Sequence, residues 1–169
     1  MGNRSTSQAR RPQQGLRASR QITRSVTPGN YRSDQLFPRI ERSVLSILAS
    51  SKVVTTVDVL VGMDILRARD LEDWRLGRIP FLERVIQGNL SKLRRLLRVL
   101  GYYCHDLNLI ASTAAYARLG KGPSSPLRFT KTGESRLEAI YARHFVWPGK
   151  GPFHPPAKSA LAAPEKGQT

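Results

Sequence analysis

The chain has 169 residues, enough for one domain with tails, and its 28 Lys and Arg against 12 Asp and Glu give a formal charge of +16. Such a balance favours a polyanionic partner, nucleic acid or an anionic membrane surface, and says nothing about fold. The single cysteine, Cys104, excludes an internal disulfide framework and a cysteine-based metal site, and no apolar run reaches the roughly 18 residues a membrane span needs.

Residues 1–33 hold Arg4, Arg10, Arg11, Arg17, Arg20, Arg24 and Arg32, no acid, and only scattered apolar side chains. A segment that can bury so little surface cannot offset the entropy of ordering, so a disordered basic arm is expected. Its opening "MGNRST" fits the permissive pattern for myristoylation at Gly2, and its Arg- and Ser-rich composition matches an organellar transit peptide. A plain basic arm has the same composition and is the preferred reading. Residues 148–169, "PGKGPFHPPAKSALAAPEKGQT", are rich in Pro, Gly and Ala and read as a second disordered tail. One compact, mainly helical domain over 34–147 remains. Its charge is uneven: from Asp34 to Asp73 five Lys or Arg face seven Asp or Glu, net −2, whereas from Trp74 to Trp147 thirteen face four, net +9.

"DQLFPRIERSVLSILASS" places Ile40, Val44, Ile47 and Leu48 on one helical stripe, with Pro38 where a first-turn proline is tolerated. "TTVDVLVGMDIL" reads either as a strand, from its β-branched residues, or as a helix capped at Thr56; the helix is preferred. "ARDLEDWRLG" gathers Asp70, Glu72 and Asp73 at the start of a short helix that stops at Gly77. Pro80 opens the longest predicted helix, whose stripe Leu82, Val85, Ile86, Asn89, Leu93, Leu96, Leu97 and Leu100 ends at Gly101. Arg84, Ser91, Arg94, Arg95 and Arg98 fall on its other side. Asn89 lies inside the apolar stripe, where its amide must find partners.

Beyond Gly101 the period changes. The segments around 114–118 and 127–129, separated by a Gly/Pro/Ser-rich loop, read as a β-hairpin. "TKTGESRLEAIYARHFV" then restarts a helix, with Thr132 as its cap and Leu137, Ile140, Tyr141 and Phe145 inward. The fold class is mostly α (α+β), a helical bundle with a C-terminal β-hairpin, an order compatible with a winged-helix-like domain.

The blocks "TTVDVLVGM", "DLEDWRLGRIPFLERVIQGNLSK", "LRFTKTG" and "AIYARHFV" resemble a small family of bacterial proteins. The resemblance covers roughly residues 53–147, and its most distinctive piece is Trp74-Arg75-x-Gly77-Arg78-Ile79-Pro80. It implies a bacterial, cytoplasmic protein of one domain and carries no activity with it.

The chemistry-bearing candidates are cations. Arg84, Arg94, Arg95 and Arg98 have no acid on their own helix face except Glu83 at its edge, so intrahelical pairing does not account for them. Arg118, Lys121, Arg128 and Lys131 lie in or beside the hairpin loop. Trp74 either stacks on a base while Arg75 and Arg78 hold phosphates, or fills a core corner while those arginines pair with Asp70, Asp73 or Glu83; the core reading is favoured. His105, His144 and His154 share no metal spacing, and His144 reads as a helix-end residue. "GKGPSSP" lacks the order of a phosphate-binding P-loop. No catalytic residue, cofactor or metal site is indicated. The expected role is non-enzymatic nucleic-acid binding through phosphate contacts, DNA or RNA unassigned, at Arg75, Arg78, Arg84, Arg94, Arg95, Arg98, Arg118, Lys121, Arg128 and Lys131. The alternative is a protein-interaction adaptor with a structural helix-turn-helix-like core, and a membrane-surface protein ranks third.

Overall fold

The computed structural model describes residues 25–156. The elements run α1 (Phe37–Leu48), β1 (Val53–Thr55), α2 (Thr56–Gly62), α3 (Ala68–Arg75), α4 (Leu90–Asp106), β2 (Ile110–Thr113), α5 (Ser135–Tyr141) and β3 (Arg143–Val146). The fold is mostly α, with a small antiparallel sheet in the order β1-β3-β2. Val54 pairs with Phe145 on one side of β3 and Ala111 pairs with the same Phe145 on the other.

Helix α1 starts as its sequence dictates, with Pro38 in the first turn and Ile40, Val44 and Leu48 buried. The run after it is both strand and helix: Val53–Thr55 pair in the sheet, and Thr55, rather than Thr56, caps α2. The Thr55 hydroxyl accepts from the Asp58 N–H at 3.1 Å and donates to the Asp58 carboxylate at 2.6 Å. Helices α1 and α2 approach closely at Gly62, where a Cβ would come within 2.3 Å of Ser43 Oγ. The Arg39 guanidinium donates to the Met63 carbonyl at the C-terminus of α2, where a cation suits the helix dipole. Helix α3 ends before Gly77, which takes the left-handed φ of 74° expected of a stop glycine.

The predicted helix from Pro80 to Gly101 does not form as one piece. Residues Leu82–Arg84 make a single 3-10 turn, Gly88 has a φ of 110°, and α4 begins only at Leu90. Asn89 is its cap, accepting from the Lys92 N–H at 2.7 Å, which is the partner its amide requires. Leu82 is buried all the same, because its segment is stitched to another: the Leu82 and Glu83 N–H groups donate to the Arg128 and Phe129 carbonyls at 3.1 and 2.9 Å. At its far end α4 runs through Gly101 to Asp106.

The predicted hairpin forms as a short antiparallel pairing: Ala117 bridges Pro126, the Leu127 N–H donates to the Tyr116 carbonyl at 2.8 Å and the Arg118 N–H to the Ser125 carbonyl at 2.9 Å. It lies within the longer connection 114–142 that joins the sheet strands β2 and β3. Aromatic packing holds this excursion: Phe129 meets Trp74 and Tyr116, each at 5.0 Å between ring centroids, and stacks on Tyr141 at 5.5 Å. Helix α5 starts after Glu134, whose side chain makes no capping bond, and not after Thr132; Phe145 is inward on β3, not on a helix. His144 likewise sits in β3, with its Nε2 2.8 Å from the Tyr116 hydroxyl.

Both expected domain edges move outward. Residues 25–33 belong to the domain and not to the arm, since Val26 and Tyr31 are buried in the core and Tyr31–Ser33 form a 3-10 turn. The tail boundary at 148 shifts too: Lys52 Nζ donates to the Gly149 carbonyl at 2.9 Å, and Trp147 meets Phe153 edge-on at 5.2 Å. The rest of the expected arm and tail, 1–24 and 157–169, lies outside the described residues.

Candidate nucleic-acid interface

The 17-residue α4 separates its side chains into three faces. Leu93, Leu96, Leu97, Leu100, Tyr103 and Cys104 are buried, as i, i+3, i+4, i+7 spacing requires. Burial alone pushes the Cys104 thiol well above its ordinary range, which keeps it protonated and unreactive.

A second face, Arg95 to Asp106, receives the N-terminal segment. Arg95 Nε donates to the Asp34 carboxylate at 2.5 Å, and only 2% of the Asp34 side chain is exposed. The Tyr31 hydroxyl and the Arg32 guanidinium both donate to Asp106 Oδ2, at 2.5 and 3.2 Å. The Tyr31 bond, with Arg32 beside it, holds the Asp106 carboxyl below its usual range; burial, then the bond to Asp106, push the Tyr31 phenol up.

The third face carries Arg94, Arg98, Gly101 and His105 at intervals of four, three and four residues, so they line one side of the helix. Opposite them stand Arg136, Leu137 and Ile140 of α5 and Arg143 of β3, with Glu134 at the start of α5. Between the two helices lies an open cleft of about 800 Å³. Four arginines line it, Arg94, Arg98, Arg136 and Arg143. None of the four forms an ion pair with another described residue.

The ten cations singled out from the sequence therefore do not form one site. Arg94 and Arg98 enter the cleft, and Arg95, on the same helix, is turned to Asp34. Arg84 is exposed on the 3-10 turn, outside α4. Arg78 pairs with Asp73 at 2.7 Å. Arg75 and Arg118 lie at a separate place, the end of α3: the Arg75 carbonyl accepts from Leu119 N–H, and the Arg118 side chain lies over Gly77. Arg118 also donates to the Lys121 carbonyl at 3.1 Å. Arg128 closes its own loop by donating to the Lys131 carbonyl at 2.7 Å, and Lys131 is exposed. Trp74 is 0% exposed and donates from Nε1 to the Arg128 carbonyl at 2.8 Å, so it is a core residue and offers no face to a base.

Carboxylates fasten the loop that carries Arg128 and Lys131. Glu138 accepts from the Phe129 and Thr130 N–H groups and the Thr130 hydroxyl; Glu83 accepts from the Lys131 N–H and the Tyr141 hydroxyl. Burial, then the charge of Glu83, push the Tyr141 phenol upward. Sequence reasoning missed Arg136, Arg143, Tyr102 and His105 as cleft residues. A signal was present in Leu137 and Ile140: both fall on the stripe of α5, yet only Tyr141 of that helix is fully buried, which leaves them to line a groove. Among the described residues no three His, Cys, Asp or Glu side chains gather as a metal site requires, and no helix is long and apolar enough to cross a membrane. No family model, curated protein or solved structure matches the chain.

Proposed function

We propose that this chain is a non-enzymatic nucleic-acid-binding protein of the bacterial cytoplasm that holds its partner mainly by phosphate contacts, with the α4–α5 cleft as the interface. One observation carries the reading: Arg94, Arg98, Arg136 and Arg143 converge on one cleft without an ion pair to any other described residue, while Arg78 and Arg95 of the same basic half have acidic partners. Unpaired like charges brought together by folding repel, and a polyanion relieves that repulsion while releasing its counterions. The strand order β1-β3-β2, with 114–142 in the position of a wing, supports the winged-helix-like reading.

The test is fluorescence anisotropy of a labelled mixed-sequence polynucleotide across a salt series, for the parent and for Arg94→Gln/Arg98→Gln. The slope of log affinity against log salt should become shallower by roughly 0.7 to 0.9 for each phosphate that is no longer neutralised. An unchanged slope and affinity overturn the reading.

A second reading, the protein-interaction adaptor, draws on β2. All four residues of this edge strand are exposed, Ile110 at 58%, and Ile110-Ala111-Ser112-Thr113 contains none of the charges or prolines that usually blunt an open edge. A partner strand would add there. Ala111→Pro, which removes an outward-facing backbone donor from that strand and leaves its bonds to β3 in place, should then abolish partner capture and leave polynucleotide binding intact.

A further inference from the structure

We propose that the α4–α5 cleft is built for single-stranded nucleic acid, with unpaired bases entering the cleft and phosphates held at its arginine rim. This rests on the nucleic-acid reading above and adds the form of the ligand. The reason is what lies between the arginines. A duplex presents sugar and phosphate outward and keeps its base faces stacked inside, so a surface made for it is cationic and polar throughout. Here the arginines of α4 and α5 flank a floor of Leu137 and Ile140 and the bare backbone of Gly101. Phosphate set against that floor would lose water and gain no partner. A base loses little there, because its faces are apolar.

Three features fit the same occupant. Gly101 sits inside a helix, where glycine is unfavourable, and a Cβ built on it meets nothing within 4 Å, so its missing side chain leaves the floor open. Tyr102 lines the cleft beside it, half-buried and backed by Tyr31 at 6.0 Å between ring centroids, which supplies an aromatic side chain held in place for base contact. Glu134 is the one carboxylate in the lining. It repels phosphate, yet it can accept from the exocyclic amines of adenine, cytosine or guanine, groups that a duplex uses in its own pairing. The cleft volume of about 800 Å³ lies within the range of sites for small ligands, room for a base or two and not for a duplex.

The experiment compares a labelled mixed-sequence single strand with a duplex of equal length, at about 0.15 M salt, where long-range attraction is screened. The full chain should prefer the single strand by about tenfold or more, the scale of one stacked base. Gly101→Leu fills the floor without changing charge, and Ile140→Ser makes the floor polar; each should bring the two affinities to within about threefold while leaving the salt slope for duplex unchanged. Melting curves identify a variant that has lost its fold, and the other then decides. Equal affinity of the parent for both probes, or a preference that survives both folded variants, overturns this proposal and leaves the phosphate-contact reading standing. If neither probe binds, both fall.

Discussion

Arg95 and Asp34 lie 61 residues apart and form an ion pair at 2.5 Å in which the carboxylate is almost wholly buried. Asp34 also accepts from the Leu36 N–H at 2.9 Å, so one side chain turns the chain into α1 and fastens it to α4. Removing Arg95 strands that carboxylate. Breaking a fully buried pair costs about 3–5 kcal/mol, and since Arg95 is 37% exposed, water replaces part of what it gives. Arg95→Gln should therefore lower stability by about 2 kcal/mol in denaturant titration. Polynucleotide affinity should change far less than with Arg98→Gln. The opposite ranking, a stable variant that binds poorly, would place Arg95 at the interface.

Trp74 joins α3 to the 114–142 excursion by packing on Tyr116 and Phe129 and by its bond to the Arg128 carbonyl. Trp74→Ala should cost about 3–5 kcal/mol, whereas Trp74→Phe keeps most of the apolar volume and loses the hydrogen bond. Adding polynucleotide to the parent should leave the emission of Trp74 unshifted. A Trp147→Phe background isolates that signal, and quenching of Trp74 by bound bases would contradict its burial.

Helix α4 passes through Gly101 at ordinary helical φ with open space where a Cβ would go. Gly101→Ala should stabilise the protein by about 0.5–1 kcal/mol, visible as a higher melting temperature. A destabilised variant would mean that α4 breaks at Gly101, as the sequence pattern suggests.

The buried Tyr31 phenol and its bond to Asp106 give stability a dependence on pH at both ends, the acid one set first by the bond and the alkaline one first by burial of the phenol. Asp106 is held below its ordinary value of 3.8, so its contribution is complete above that pH and is lost as pH falls through the lower folded value. Tyr31 is raised above its ordinary value of 10.0, so its contribution is complete below that pH and is lost as pH rises through the higher folded value. The difference in melting temperature between the parent and Tyr31→Phe should be a plateau from about pH 4 to pH 10 that narrows on both flanks. A difference that stays constant on the acid side, down to about pH 2, would show that the bond is absent, whatever burial does on the alkaline side.

Periodicity finds α1, α3, the core half of α4 and the burial of Trp74, because in those stretches local pattern and tertiary packing agree. It fails at 80–89, where Leu82, Val85 and Ile86 keep helical spacing and are packed from an irregular segment whose backbone bonds go to Arg128 and Phe129 instead. Gly88 and Asn89 carry the correction in plain sight, as a glycine of positive φ followed by a cap residue. The site is half legible for a similar reason. Arg94 and Arg98 follow from the helix wheel, but the partner of Arg95 lies across the fold, and the cleft exists only once α5 is laid against α4. No pattern local to either segment records that meeting.

The capping of α4 at Asn89 has an electrical consequence. Its first turn holds no acid, and Lys92, Arg94, Arg95 and Arg98 crowd the N-terminal half, while Asp106 closes the other end. A helix macrodipole carries roughly half a positive charge at its N-terminus and acts mainly within the first turn, so Lys92 stands at the wrong pole for the stability of the helix, with Arg94 and Arg95 one turn beyond it. The two fields add. The N-terminal half of α4 is more electropositive than its formal charges alone make it, and its C-terminal end less so. An anion drawn to this helix is pulled toward the end at which α4 begins, so the field biases where along the helix it rests.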